Sequence, residues 1–175
     1  MRMVDQGVTK LTWIPGEGAI ANASSPEASE LNAVAAVDLS CIMVSTYEVR
    51  ADGSETTNER AVCETANTVT PTIQNYMGNL MLFRDIVAGV PGPDDLTEVY
   101  PQAGVLGWFV RRIGKPYDVD YVDGDVVETF KFLNDVPQLQ GGTGEGYLKG
   151  TVPLLPQGVF DIAAVVGSAS SSSSA

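Results

Sequence analysis

Residues Gly104 to Leu133 read GVLGWFVRRIGKPYDVDYVDGDVVETFKFL, and the two apolar runs inside this stretch decide the fold. Val105 to Ile113 is a near-continuous run of aromatic and branched side chains closed by Gly114 and Pro116, the pattern of a strand buried on both faces. Asp125 to Leu133 follows as a second strand. Val127, Thr129, Lys131 and Leu133 lie on one side of its pleat, and Val126, Glu128, Phe130 and Phe132 on the other. Lys115 to Gly124 joins the two with turn chemistry, because Pro fixes φ and Gly accepts positive φ.

Outward from this unit the chain predicts more strands. Val8 to Ile14 alternates and stops at Pro15-Gly16. Gly16 to Asn32 reads as a loop with one helical turn after Ser25, Pro26 suiting the first helical position. Ala33 to Arg50 is open between helix and strand at its start, with Val44 to Arg50 the firmest strand in it. Ala51 to Ser54 predicts a turn, Thr56 to Asn58 a polar link, and Arg60 to Glu64 the returning strand. Asn67 to Asn79 is polar and broken by Pro71 and Gly78, and Leu80 to Val87 resumes an apolar strand. Asp94 or Asp95 is placed to cap a short helix from Leu96 to Tyr100. Val136 to Gln140 and Tyr147 to Leu155 predict further strands, the latter ended by Pro153 and Pro156, with Gly158 to Val166 as one more. Gly167 to Ala175 is a flexible Ser-rich tail. No internal repeat is visible.

Composition limits the function. At 175 residues with 44% hydrophobic and 18% charged content, the chain is most simply one domain, able to bury about 70% of its unfolded surface. Ten basic against 22 acidic residues give a net charge of -12, which argues against a sequence-independent grip on nucleic acid, since that grip needs Lys and Arg on phosphates. No stretch is apolar and long enough to cross a bilayer as a helix, and Met1 to Lys10 has no apolar core of a secretory signal, so assembly in the cytosol is expected. Cys41 and Cys63 allow one disulfide by number, but a cytosolic chain is expected to keep both as buried free thiols.

The absence of histidine from the sequence removes the ordinary Ser-His-Asp and Cys-His nucleophile systems and most zinc sites, so no enzyme activity, cofactor or metal is expected. Gly141 to Gly146, GGTGEG, lacks the Lys and the following helix of a phosphate loop and reads as a flexible connection. Asp118, Asp120, Asp123 and Asp125 surround Gly124, but the third acid and the Gly fall one place late for a calcium loop, and a solvated acidic turn is the better reading. Asp94-Asp95 reads as a helix cap rather than an acid-base pair. Arg111 and Arg112 are adjacent on a strand and so point to opposite faces, one free to answer carboxylates of its own chain and the other to reach a neighbour; a surface ion pair worth about 0 to 1 kcal/mol reads equally well.

The order Trp-Phe-Val-x-Arg, Gly-Lys-Pro, an acidic link, Gly-Asp before a Phe-x-Phe strand, and a later Gly-Tyr-Leu-Lys resembles the major tail tube proteins of long-tailed bacteriophages, particularly those infecting actinobacteria. Glu59 to Thr70 and Gly78 to Arg84 fit the same family, so the resemblance spans roughly Val37 to Pro153. It implies a mainly β fold with one short α-helix, a β-sandwich over residues 1–166 with an N-terminal arm or loop at 15–36. It implies rings, usually hexameric, whose inner strands form one continuous β-barrel and which stack into a tube that conducts the genome. Tape measure, terminator and distal tail proteins are the implied partners, and the virion tail the implied location. On this view Arg84, Arg111 and Arg112 are candidate contacts between subunits. Asp118, Asp120, Asp123 and Asp125 are candidate acidic residues of the lumen or its loops, repelling DNA so that it slides without being held. A loop-based β-sandwich binding module, or a head decoration or head-tail connector protein, remains the alternative, separated from the first by whether Gly16 to Asn32 and Asn67 to Asn79 order against neighbouring copies.

Overall fold

A computed structural model describes residues 7–58, 69–87, 89–141 and 146–167. Its elements are β1 (Thr9–Pro15), α1 (Ala28–Leu31), β2 (Val37–Asp38), β3 (Glu48–Asn58), β4 (Val69–Phe83), β5 (Ile86–Val87), β6 (Val90–Pro91), α2 (Leu96–Val99), β7 (Leu106–Ile113), β8 (Val126–Asn134), β9 (Gln138–Leu139) and β10 (Lys149–Val165). The fold is mainly β, with two short helices where one was expected as an element and the other as a single turn. Among the described residues an antiparallel sheet runs in the order β2-β1-β7-β8-β10-β4-β3, with β9 on β10, and does not close on itself, while β5 and β6 pair separately.

The centre of this sheet is β7 and β8, the two strands of the Gly104 to Leu133 stretch. In β7, Trp108, Val110 and Arg112 are buried toward one face and Phe109 toward the other. The pleat of β8 falls as predicted, with Phe130 and Phe132 in one core and Val127 in the second. The first core also takes Leu11 and Trp13 of β1, Leu80 and Leu82 of β4, Val152 and Leu154 of β10, and Leu96 and Tyr100 at α2. The second lies under the 16–36 segment and α1, where Ile20 and Leu31 cover Ile14, Trp108 and Val110. Two positions need glycine for close packing. A Cβ on Gly107 would lie 2.5 Å from the Trp13 ring, and one on Gly78 would lie 2.7 Å from the Phe132 ring.

Four sequence expectations are corrected. Ala51 to Ser54 is not a turn: β3 runs through it, and Asp52-Gly53 is absorbed as an irregularity in register before Glu55. Asn67 to Asn79 is mostly strand, because β4 begins at Val69 and carries Pro71 opposite Thr56. Pro156 does not end β10, which continues to Val165 because a bulge between Pro156 and Phe160 takes up the missing donor. Pro26 precedes the helix cap rather than opening the helix, since Glu27 bridges Gly167 in extended conformation and α1 starts at Ala28. The predicted strand from Arg60 to Glu64 and most of the Gly141 to Gly146 link lie outside the described residues.

Candidate functional site

The acidic loop between β7 and β8 is built around Arg112. Its side chain is buried, and the guanidinium donates to the carbonyl oxygens of Asp120 (2.8 Å), Pro116 (2.9 Å) and Val119 (2.8 Å) and to Asp125 Oδ2 (3.1 Å). Lys115 donates to the other Asp125 oxygen, and the Val122 N–H donates to Oδ2 at 3.2 Å. Three carbonyls and a carboxylate converge here as they would on a hard cation, but the charge at the centre is the guanidinium of the chain itself. Tyr121 closes the group: its ring lies under Arg112 and Lys10, its hydroxyl bonds Thr12 Oγ1 at 2.8 Å, and burial pushes its pKa up to about 12.

This separates four aspartates that the sequence presented as one set. Asp118, Asp120 and Asp123 are exposed, as a solvated turn requires. Asp125 is buried and is corrected out of that turn. Burial pushes its carboxyl up, but the Lys115 ammonium, the Val122 N–H and the Arg112 guanidinium outweigh burial and hold it below the usual carboxylate range. No group of three or more His, Cys, Asp or Glu side chains converges on a metal site among the described residues.

The arginines proposed as contacts between subunits all find partners within their own chain. Arg84 Nε donates to Asp95 Oδ2 at 2.7 Å, and Asp95, fully buried, also accepts from Asp85 N at 3.0 Å and caps α2 through Thr97 N at 2.9 Å. Burial raises the Asp95 carboxyl, yet Arg84 and Thr97 prevail and keep it low. Arg111 Nε donates to Glu128 Oε2 at 2.6 Å on the opposite face from Arg112. Arg112, with 1% of its surface exposed, cannot reach a neighbour, which corrects that reading for this residue. Cys41 is exposed rather than buried, because it lies in the irregular 39–47 segment over the sheet; Cys63 lies outside the described residues.

What the sequence reading missed is a ribbon. From Ala51 to Thr57 on β3 and from Pro71 to Gln74 on β4, consecutive side chains are exposed, so both faces of the paired strands meet solvent. β3 ends the sheet, and its outer edge pairs with no strand among the described residues. The ribbon leaves the body where β4 parts from β10, after the Leu154–Gly78 pair. Tyr76 spans that fork: its hydroxyl accepts from the N–H groups of Gln157 (2.7 Å) and Val159 (3.3 Å), which the bulge frees, and donates to the Lys131 carbonyl at 2.5 Å. The β-branched run Thr68, Val69, Thr70, Thr72 and Ile73 was the available signal.

Comparison with known proteins gives two results. A sequence profile described as phage tail tube protein matches residues 1–169. Among solved structures, one chain of the anti-feeding prophage baseplate, described as a cryo-EM structure with 6-fold symmetrisation, superposes with a TM-score of 0.53 over 95% of this chain and 97% of that one, at 14% identity. That likeness is one of fold. No curated protein sequence matches the chain.

Proposed function

Because the chain belongs to the phage tail tube protein family, whose members are structural virion proteins and not enzymes, we propose that six copies close into a ring, that their strands join into one continuous barrel, and that stacked rings form the conduit for genome ejection. The observation that carries this reading is the open sheet. It ends in β3, an 11-residue strand whose outer edge pairs with no strand among the described residues, and such an edge is a template for a strand from another chain. The 6-fold symmetry named for the structural neighbour supports the ring number.

Six copies at -12 each bring -72 to a ring. Asp118, Asp120 and Asp123, with no buried role, are the side chains of the acidic loop that can face a lumen and repel phosphates. Arg84 and Arg111, each partly exposed and paired within its own chain, remain the candidate contacts with a neighbour. Assembly in the host cytoplasm, a long tail without a sheath, a source among phages of actinobacteria, and contacts with tape measure, terminator and distal tail proteins complete the reading. Negative-stain electron microscopy across a concentration series, with mass by light scattering, tests it. Rings or hollow tubes of uniform width are expected; a homogeneous monomer at every concentration, with and without tail partners, would overturn it.

A further inference from the structure

Among the exposed apolar side chains, two groups lie at opposite ends of β10. At its start are Tyr147 and Leu148, with Leu139 on β9 opposite Gly150 and Ile86 just beyond the end of β4. Tyr147, 81% exposed, is held by the edge of the Phe83 ring at 5.6 Å between centroids. At the far end of β10, Ile113, Val126 and Val165 form one cross-strand row. Arg112 pairs with Val127, which sets Ile113 beside Val126, and Val126 pairs with Val165. The row lies on the face of Phe109 and Phe130, beyond the Arg111–Glu128 ion pair, and all three side chains are about half exposed.

The placement of the two groups selects the occupant. A two-fold contact would cover one group on each copy and leave the other in water, whereas a copy displaced along the strands covers one group of each kind at every contact. Copies each carrying -12 repel, so association between them is gained where the surface is apolar. Resting on the ring reading above, we propose that the Tyr147 end of one copy docks on the Ile113–Val126–Val165 row of a copy in the next ring. The contact is head to tail and open at both ends, so that it propagates as a tube.

The test uses the full chain with Tyr147→Glu or Val126→Glu, checked for native circular dichroism, and the milder Tyr147→Ser and Val126→Thr where a charge prevents folding. Each variant alone is expected to give single rings and at least a tenfold loss of tube length by electron microscopy. Each variant keeps one intact end, so an equimolar mixture of the two sets of rings is expected to stop at pairs of rings. Tubes of wild-type length from either folded variant, or a mixture that gives only single rings, would overturn the proposal. Absence of rings from the wild-type chain under the same conditions would remove the ring reading, and this proposal with it.

Discussion

The loop between β7 and β8 and the ribbon of β3 and β4 are both polar excursions from one sheet, yet they solve their hydrogen bonding in opposite ways. The loop turns inward: Arg112 binds three of its carbonyls and Asp125, and Tyr121 covers the group. The ribbon turns outward, with side chains exposed on both faces and an outer edge on β3 that pairs with no strand among the described residues. A two-stranded ribbon with no packed face is marginal in water, so its order depends on what it meets. Self-sufficient polar structure marks the part of this molecule that holds itself together; the solvent-facing ribbon is the part that the proposed ring would complete.

The largest effect should come from breaking the loop. Asp125→Ala leaves a buried guanidinium facing carbonyls alone, and removal of one partner from a buried pair costs about 3–5 kcal/mol. Denaturant unfolding of the variant should show that loss, and a loss below about 1 kcal/mol would mean that the loop is not closed by this pair.

Acid should reach the same place. Asp125 and Asp95 are held below their unfolded values, so their contribution is present above the unfolded carboxylate pKa of about 3.9 and is lost as pH falls through the folded pKa. Melting temperature should therefore be flat from neutral pH to about 5 and fall below about 4, and the acid slope should be shallower in Asp125→Asn. An unchanged slope in that variant would place the acid sensitivity elsewhere.

At the junction between body and ribbon a smaller effect is expected. Tyr76→Phe removes the hydroxyl that serves Gln157, Val159 and Lys131, but the first two residues are exposed enough for water to replace it. The cost should be about 1 kcal/mol, with faster amide exchange at Gln157 and Val159 as the local signature. Unchanged exchange there would show that the fork is not held by Tyr76.

This division also explains what was legible beforehand. β1, β7 and β8 were read because a sheet buried on one or both faces writes its periodicity in apolar residues, and the faces of β8 were assigned correctly from alternation alone. The ribbon was not, because side chains exposed on both faces leave no period of two, and Asp52-Gly53 carries turn chemistry that the strand absorbs as an irregularity. Pro156 misled in the same way, since the bulge that accommodates it is paired through Tyr76, a residue distant in sequence. The separate fate of Asp125 was hidden because its spacing matches that of Asp118, Asp120 and Asp123. Only the three-dimensional position of Arg112 distinguishes them.

The smallest effect on stability carries the sharpest test of the contrast. Ile73 sits on β4 opposite Glu55, in the outer part of the ribbon, and is 53% exposed. Ile73→Ser removes apolar surface that the isolated chain leaves in water, so the unfolding free energy of the monomer should move by no more than about 0.5 kcal/mol. In an assembly where the ribbon lies against another copy, the same change removes a buried side chain from every interface of the ring, and the effect is repeated six times around it. Ring formation, followed by light scattering, should then need a clearly higher protein concentration while the melting temperature of the dilute chain stays where it was. A variant that loses monomer stability would show the ribbon to be packed within the chain. A variant that assembles like the wild type would show that Ile73 meets nothing in the ring, and the outer edge of β3 would then have to carry the contact through its backbone alone.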